Sequence, residues 1–314
     1  MPLVDSPVFL VGSVRSGTTL LRLMLDHHPR IAFNLESEYL VRQVSDDGKH
    51  PDMAQYRAWL REDRMFQHSR FSVDERLDFL GLVNDFLSQK RARDSKEFVG
   101  ATVHVQFHKL HRIWPNARYV HIYRDGRDVA NSAMRMGWAG NIYVAADMWL
   151  TAVKEWERLR PMLRQDAWLE VRYEDLIANP RSELKRICEF IGVEFSERMF
   201  DYASKTSYEL PDVTLNYQWK TGMRRLDVQR LEAKMGDQLS AMGYAPSGYP
   251  RVSVSRPLRS WLYFDSRFGA FLFRLRRYGV ALTLREALFR RLGLRKAHEI
   301  AMREMNVITD ATLK

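Results

Sequence analysis

This chain of 314 residues lacks most features of disulfide-rich, metal-binding and membrane-spanning proteins. Its one cysteine, Cys188, excludes a disulfide within the chain and a zinc site built on several thiolates. No run of about 18 apolar residues is present, so we predict no membrane-spanning helix. The first residues, MPLVDSPVFLVG, hold no basic segment, and their apolar run has only the length of a strand. We therefore predict no signal peptide and expect a cytoplasmic protein.

Acidic residues become scarce towards the C-terminus. Residues 251–314, which we call the basic extension, hold 14 Lys and Arg against 5 Asp and Glu, a net charge of +9. The preceding 250 residues hold 35 basic and 34 acidic residues. Aromatic residues and leucines alternate with the arginines of the extension, which predicts two or three basic amphipathic helices. A helical cap or homodimer contact and a peripheral membrane anchor both stay open, and we expect no nucleic-acid partner.

Strand and helix patterns alternate through most of the remaining chain. Apolar runs predict buried strands at 8–11, 97–103, 117–123 and 168–173. Helical spacing of apolar residues predicts helices at 17–27, 74–91, 106–114, 126–136, 142–164 and 182–191. This alternation predicts an α/β fold in which helices flank a parallel sheet and ligands bind at the carboxyl ends of the strands.

The most informative segment is VFLVGSVRSGTTLLRLMLD, residues 8–26. A strand enters a glycine-containing loop, and a helix opens at Thr18. Free backbone N–H groups and the positive end of the helix dipole meet at such a junction and bind phosphate or sulfate. The spacing from Gly12 to Gly17 fits a nucleoside-triphosphate loop, except that Thr18 stands at the position of the lysine. A triphosphatase needs that lysine, so we predict an anion of lower charge, contacted by Arg15 and by hydroxyls.

A second motif, Tyr123 to Ser132, begins where the 117–123 strand ends. Arg124 lies at the carboxyl end of the strand, and Ser132 follows eight residues later on the next predicted helix. A guanidinium offers a planar pair of donors to a phosphate, and a serine hydroxyl adds a neutral donor. The pair therefore predicts a second anion contact.

The segment RSGTTLLRLMLDHHP, from Arg15 to Pro29, resembles the 5′-phosphosulfate loop of sulfotransferases that use 3′-phosphoadenosine 5′-phosphosulfate (PAPS). It is most similar to the tyrosylprotein and bacterial branches of that family. The resemblance implies a P-loop-like fold, PAPS as the sulfate donor, and 3′,5′-adenosine bisphosphate (PAP) as its product. We accordingly predict a sulfotransferase domain over residues 1–250, followed by the basic extension.

The resemblance also implies roles for individual residues. Arg124 and Ser132 would hold the 3′-phosphate, because family members place an Arg and a Ser at this separation. Tyr173, in VRYEDL, would contact the adenine, with a purely structural role as the alternative. Lys220, in YQWK, would bring a further cation to the phosphates. The phosphosulfate itself would be held by Arg15, Ser16, Gly17, Thr18 and Thr19.

A hydroxyl acceptor also needs a general base. Glu36 follows Arg15 by 21 residues, the offset at which tyrosylprotein sulfotransferases place their catalytic glutamate. Glu38 is its rival, because it shares the Glu36 face of an extended segment. His104 is the second predicted catalytic residue; it stands where many relatives carry a lysine, and either His104 or another cation replaces that lysine. The histidines at 104, 108 and 111 lack an acid or cysteine at ligand spacing, so we predict no metal.

We therefore predict an enzyme that moves the sulfuryl group of PAPS to a hydroxyl or amine by in-line attack. Arg15 and the helix N-terminus would stabilise the charge that develops on the departing phosphate. Small-molecule, carbohydrate, lipid and peptide acceptors all stay open, and loops 40–75 and 134–148 are expected to contact the acceptor. Two alternatives remain: a nucleotide-dependent P-loop kinase or transferase, and a non-catalytic membrane-surface scaffold on a sulfotransferase fold.

Overall fold

The computed structural model describes residues 4–312. At its centre lies a five-stranded sheet in which every pair of neighbouring strands is parallel. The strands stand in the order β2-β3-β1-β4-β5. Their bounds are β1 (Val8–Val11), β2 (Ile31–Glu36), β3 (Phe98–Val103), β4 (Arg118–Tyr123) and β5 (Trp168–Arg172). The predicted α/β fold with a parallel sheet is thereby confirmed.

Helices follow and flank the strands. In the first half of the chain they are α1 (Thr18–Asp26), α2 (Met53–Leu60), α3 (Arg64–Ser69), α4 (Phe79–Asp94), α5 (Leu110–Ile113), α6 (Gly126–Arg135) and α7 (Ile142–Leu159). The later ones are α8 (Tyr173–Ala178), α9 (Pro180–Ile191), α10 (Tyr202–Lys205), α11 (Trp219–Gly222), α12 (Arg225–Met235), α13 (Asp237–Ala241), α14 (Arg256–Tyr278), α15 (Val280–Arg291) and α16 (Arg295–Thr312).

The chain divides into two compact units. The first consists of the residues up to Asp125 together with Met148–Gln218, and it contains the whole sheet. The second consists of Gly126–Asp147 and the chain from Trp219 onward, which includes the basic extension. The domain boundary that we predict at residue 250 stays a prediction.

The sheet of the first unit has a buried apolar core on each of its two faces. Successive residues of β1 point to opposite faces, so Phe9 and Val11 join one cluster, whereas Val8 and Leu10 join the other. Both faces of β1 are therefore buried, which is why this strand is an uninterrupted apolar run.

Two predicted helices are shorter than expected. The helix predicted for 74–91 begins only at Phe79, because the Asp78 carboxylate accepts a hydrogen bond from the Gly81 amide at 2.8 Å and caps the helix. The helix predicted for 142–164 ends at Leu159 and continues as a 3₁₀ turn over 160–162. Pro161 has no N–H group to continue the α-helical hydrogen bonds.

The helix predicted for 106–114 is also largely wrong. Residues 107–109 form a 3₁₀ turn, and only Leu110–Ile113 is α-helical. Trp114 leaves the helical conformation because Pro115 follows it, and a residue before proline disfavours helical torsion angles. The short helix α8, between β5 and α9, was not predicted.

The basic extension forms three helices, as the sequence predicts: α14, α15 and α16. Within the second unit, α14 makes a close contact with the segment that precedes α7. The Asn141 amide donates to the Leu262 carbonyl at 2.7 Å, and the Gly140 N–H donates to the Ser266 hydroxyl at 3.0 Å. Over residues 4–312, no helix combines the length and the apolar character needed to cross a membrane.

Candidate functional site

Every strand of the sheet leads at its carboxyl end to a residue predicted for the site. The loop after β1 carries Arg15, and β2 ends at Glu36. His104 directly follows β3, Arg124 follows β4, and Tyr173 follows β5. Because all five strands are parallel, these ends lie at one edge of the sheet. β1 lies at the centre of the sheet, where the strand order reverses, and this is where α/β proteins bind ligands.

Two glycines shape the loop between β1 and α1. A Cβ atom on Gly12 would lie 2.1 Å from the Ile122 carbonyl oxygen, and a Cβ on Gly17 would lie 2.3 Å from the Tyr173 ring. Gly17 also has a φ of 90°, which side chains disfavour. The loop is closed by a hydrogen bond of 3.2 Å from the Ser16 amide to the Ser13 carbonyl. Only glycine therefore lets the loop pass this close to β4 and Tyr173.

The Ser16 hydroxyl is an unsatisfied polar group in this loop. Its side chain is 0% exposed, and its Oγ atom has no hydrogen-bond partner within the part of the chain that the structure describes. A buried polar group without a partner typically costs about 1–3 kcal/mol. An anion held by the N-terminus of α1, where Thr18 is also buried, would satisfy this hydroxyl.

Arg124 links this loop to neighbouring segments. One terminal nitrogen of its guanidinium donates to the Arg15 carbonyl at 3.4 Å, and the other donates to the Leu215 carbonyl at 2.7 Å. The same guanidinium lies 4.2 Å from the centre of the Tyr173 ring. The structure therefore brings Arg124, Tyr173 and the backbone of Arg15 together, and their roles towards a ligand stay predictions.

A buried carboxylate that the sequence analysis did not single out holds two strand ends in place. Glu174 accepts a hydrogen bond from the Asp125 amide at 3.1 Å, and its second oxygen lies 3.5 Å from the Arg172 Nε. Arg172 also donates to the Tyr217 hydroxyl at 3.0 Å. The acid next to Tyr173 in VRYEDL is the sequence feature that marks this position, since a buried acid at a strand end needs partners.

The acid–base residues predicted from the sequence form one cluster. His104 Nε2 lies 3.7 Å from a carboxylate oxygen of Glu36. His104 Nδ1 lies 3.0 Å from the Gly12 carbonyl, and the His104 amide donates to the Glu38 carboxylate at 3.0 Å. A carbonyl only accepts hydrogen bonds, so Nδ1 carries a proton there. His104 thus joins the anion loop to both glutamates.

Contact within this cluster separates the three pKa values. The nearby His104 imidazole is the largest influence on Glu36, and it holds the pKa of Glu36 below 4.5 even though burial acts in the opposite direction. Burial raises the pKa of Glu38 above 4.5. Burial alone lowers the pKa of His104, but Glu36, Glu38 and the Gly12 carbonyl raise it, and the pKa lies above 6.5. Neighbouring groups with separated pKa values are typical of acid–base sites.

The described geometry can be compared with proteins of known family. A model of the Sulfotransferase family matches residues 7–197, which is more than half of the chain. The chain belongs to the sulfotransferase family. It is 24% identical over 285 residues to Protein-tyrosine sulfotransferase 1 of Danio rerio, covering 78% of this chain and 74% of that protein. Protein-tyrosine sulfotransferase 2 of Gallus gallus is 25% identical over 218 residues, which are 63% of this chain and 54% of that protein.

Solved sulfotransferase structures share the fold. The sulfotransferase domain of the Synechococcus PCC 7002 olefin synthase superposes with a TM-score of 0.53 at 23% identity, covering 78% of this chain and 98% of that domain. The sulfotransferase domain from the curacin biosynthetic pathway gives a TM-score of 0.51 at 18% identity, covering 78% of this chain and 99% of that domain. These matches confirm the predicted P-loop-like sulfotransferase fold.

Two predicted phosphate contacts of this sulfotransferase lie in the second unit. Ser132 is on α6, and Lys220 is on α11. The Trp219 amide donates to the Asp128 carboxylate at 2.8 Å, so α11 packs on α6 within that unit. Arg124 belongs to the first unit, and the assignment of Arg124, Ser132 and Lys220 to one phosphate stays a prediction.

Each unit contains a cavity lined in part by a loop that we predict to contact the acceptor. In the first unit a cavity of about 320 Å³ adjoins the end of β2 and includes His68 to Arg70 from loop 40–75. Its lining holds one acid, Asp26, which pairs with Lys90 at 2.9 Å, and four basic side chains: Arg22, Arg70, Lys90 and Arg93. In the second unit a cavity of about 490 Å³ includes residues 140–143 from loop 134–148.

His108 and Cys188 have structural surroundings. His108 contacts the Glu155 carboxylate through Nδ1, and the residues that the structure describes contain no group of three His, Cys, Asp or Glu side chains placed to hold a metal. Cys188 is buried with its Sγ 3.6 Å from the Met199 sulfur, and burial raises its pKa to about 11. Its thiol is therefore a poor nucleophile near neutral pH.

Proposed function

We propose that this sulfotransferase family member transfers the sulfuryl group of PAPS to a hydroxyl or amine of an acceptor. The loop between β1 and α1 is the observation that carries the proposal. It presents the buried Ser16 hydroxyl and the N-terminus of α1, and it has Thr18 where a triphosphatase has lysine. These donors suit a sulfated monophosphate better than a triphosphate–magnesium complex.

The residues present fit PAPS at both ends of its nucleotide. Ser16, Thr18, Thr19 and Arg15 would hold the 5′-phosphosulfate, together with the backbone of Gly17. Arg124 would hold the 3′-phosphate, and the further phosphate contacts expected from Ser132 and Lys220 stay predictions. Tyr173 would pack on the adenine. The Arg124 guanidinium already lies against the loop carbonyl of Arg15, so one nucleotide can be reached by both arginines.

When bound, PAPS supplies a sulfuryl group attached to a phosphate that leaves readily. The chain's own groups then act on the charge that develops. The N-terminal amides of α1 and the Arg15 guanidinium stabilise negative charge on the departing phosphate. Removal of one such donor typically costs about 10²–10³ in rate. This stabilisation is useful because it is greater in the transition state than in the ground state.

Glu36 is the proposed general base. Its lowered pKa keeps the carboxylate ionised near neutral pH, so it can accept the proton of an acceptor hydroxyl. His104, with its raised pKa, is the proposed cation at the position of the family's lysine. It donates to the Gly12 carbonyl and faces Glu36, so it positions the base relative to the anion loop.

The cavity beside β2 is the proposed entrance for the acceptor. Arg22 lines it, and burial lowers the pKa of this arginine although the charges of Asp26 and Glu36 act in the opposite direction. Because Arg70 and Arg93 line the same cavity, an acceptor with a negative group near its hydroxyl is favoured. The named relatives are protein-tyrosine sulfotransferases, which supports including a tyrosine peptide among the acceptors.

The proposal is tested by incubating the full chain with radiolabelled PAPS and a panel of phenol, sugar, lipid and tyrosine-peptide acceptors, followed by mass measurement of the product. Transfer is expected for wild type and should be abolished in Arg15→Ala. The matched control is Arg164→Ala, because Arg164 is 77% exposed and pairs with Asp166 on the surface. Transfer from ATP with Mg²⁺ but not from PAPS would instead establish a kinase. Affinity for PAP without transfer to any acceptor would establish a non-catalytic scaffold.

A further inference from the structure

One face of α14 exposes a row of aromatic side chains. Trp261, Phe264, Phe268 and Phe271 are 56%, 69%, 55% and 38% exposed. They are separated by three, four and three positions, a spacing that places them along one face of a helix. We call these four residues the aromatic row. Surfaces of soluble proteins seldom expose a contiguous group of large aromatic residues unless that group binds something.

The opposite face of α14 is packed inside the second unit, and this packing fixes the direction of the aromatic row. Leu262 and Ser266 are buried. Gly269 meets Gly140 so closely that a Cβ on Gly140 would lie 2.1 Å from the Ser266 carbonyl oxygen. Together with the hydrogen bonds from Asn141 and Gly140, these contacts prevent α14 from rotating to bury the row.

Arginines border the aromatic row. Arg267 lines the same shallow groove as Phe264, Phe268 and Phe271. Arg256 and Arg267 are eleven positions apart, so they lie on the same side of α14, and both are exposed. The basic extension as a whole has a net charge of +9. Apolar aromatic side chains beside exposed arginines form the typical surface of a helix that lies in a membrane interface.

The next helix repeats this pattern with aliphatic side chains. Leu284 and Leu288 on α15, and Leu292 directly after it, are exposed at intervals of four residues. Arg285, Arg290 and Arg291 accompany them. The apolar character of the extension is thus not confined to one helix, and neither is its positive charge.

We propose that the basic extension docks on the surface of an anionic lipid bilayer through the aromatic row of α14. Charge complementarity selects this partner. A second copy of the chain would bring two extensions of the same +9 charge together, which disfavours self-association. An anionic bilayer instead offers negative headgroups to the arginines and an apolar layer to the rings. Docking does not depend on the reaction proposed above.

The test is flotation of the full chain with vesicles of phosphatidylglycerol and phosphatidylcholine, compared with vesicles of phosphatidylcholine alone. We expect binding to the anionic vesicles that weakens as salt is raised, because salt screens the arginines. Each arginine near an anionic surface contributes about a fivefold factor in affinity. The variant Arg256→Glu/Arg267→Glu should therefore bind at least about 25-fold more weakly.

The contribution of the aromatic row to vesicle binding is tested with a separate variant and control. Phe264→Ser/Phe268→Ser removes the two most exposed phenylalanines and should reduce affinity for anionic vesicles by about 100-fold or more, since each buried ring contributes at least about tenfold. Leu80→Ser/Leu226→Ser is the matched control, because Leu80 and Leu226 are also exposed apolar residues on helices but lie outside the basic extension. This control should bind as wild type does. Circular dichroism and PAP affinity of each variant check that the fold is kept.

Three outcomes would overturn the proposal. The first is the absence of binding to anionic vesicles. The second is equal loss of binding in the Leu80→Ser/Leu226→Ser control. The third is a wild-type dimer that becomes a monomer in Phe264→Ser/Phe268→Ser by light scattering, since the row would then be a contact between two copies. Because the assay contains no PAPS or acceptor, none of these outcomes bears on sulfuryl transfer.

Discussion

The guanidinium of Arg124 lies over the ring of Tyr173, 4.2 Å from its centre. The same ring covers Gly17, where it leaves no space for a Cβ atom. Two residues from the ends of neighbouring strands therefore form the wall beside the anion loop. A nucleotide whose phosphate occupies that loop would meet this aromatic and cationic pair next.

The first prediction concerns the contact between Gly17 and Tyr173. Gly17→Ala places a methyl group against the Tyr173 ring and on a backbone with φ of 90°. We therefore expect weak PAP binding and a loss of about 1–3 kcal/mol in the free energy of unfolding. Gly192→Ala is the control, because Gly192 has the same φ of 90° but the nearest atom to a Cβ there, on Arg118, is 3.6 Å away. Urea unfolding and PAP calorimetry measure both effects. Equal behaviour of the two variants would show that Tyr173 does not restrict the loop.

The second prediction separates the two ends of the nucleotide. If Arg124 holds the 3′-phosphate, Arg124→Ala should lower PAP affinity by about 10–100-fold, the contribution of hydrogen bonds to a charged group. Affinity for 5′-AMP, which lacks that phosphate, should change much less. Arg124→Lys should restore little of the lost PAP affinity, because lysine lacks the planar donor pair that suits a phosphate. Calorimetry with both ligands decides the matter, and an equal loss for PAP and AMP would place Arg124 elsewhere on the nucleotide.

The third prediction concerns the base. Glu36→Gln keeps the shape of the side chain but cannot accept a proton, so turnover should fall by about 10²–10⁴ while PAP affinity stays unchanged. Glu38→Gln is the rival variant, since Glu38 bonds the His104 amide and burial raises its pKa. Steady-state rates with saturating PAPS compare the two. Full turnover in Glu36→Gln with a loss in Glu38→Gln would move the role to Glu38.

The fourth prediction follows from the raised pKa of His104. A histidine whose pKa is higher in the folded state stabilises the fold fully below its unfolded value near 6.5, and this contribution is lost as pH rises through the folded pKa. His104→Asn keeps a donor for the Gly12 carbonyl but does not titrate. The stability of wild type relative to His104→Asn should therefore be largest below pH 6.5 and should shrink above it. Urea unfolding across this range measures the difference.

Glu36, the carboxylate that faces His104, should give the opposite pH dependence of stability, and it serves as the control for that experiment. The lowered pKa of Glu36 contributes stability that is present above its unfolded value of 4.5 and is lost as pH falls through the folded pKa. Glu36→Gln should thus lose its stability deficit at low pH. A difference between wild type and His104→Asn that is independent of pH would mean that the histidine stays neutral.

The local geometry of the site was predictable because it depends on short segments. Strand, glycine loop and helix follow one another within residues 8–26, so the position of Arg15 at a strand end could be inferred from spacing alone. The same holds for Arg124, which directly follows an apolar strand. Spacing in such segments reflects backbone geometry, and tertiary contacts change it little.

Contacts between distant segments were not predictable. Glu36 and His104 are 68 positions apart in sequence, and they meet because β2 pairs with β3 in a register that aligns Glu36 with Thr102. The hydrogen bond from Arg124 to the Leu215 carbonyl joins residues 91 positions apart. The role of Glu174 depends on where Asp125 and Arg172 are brought by the sheet. Register and strand order decide these contacts, and no spacing within one segment reveals them.

Binding of the nucleotide by the anion loop and Arg124 is measured by calorimetric titration of the full chain with PAP in a buffer without Mg²⁺. We expect saturable binding of PAP that is lost in Arg15→Ala, strongly weakened in Arg124→Ala and unchanged in Arg164→Ala. Absence of PAP binding to the wild-type chain, or binding that both Arg15→Ala and Arg124→Ala retain in full, would contradict it.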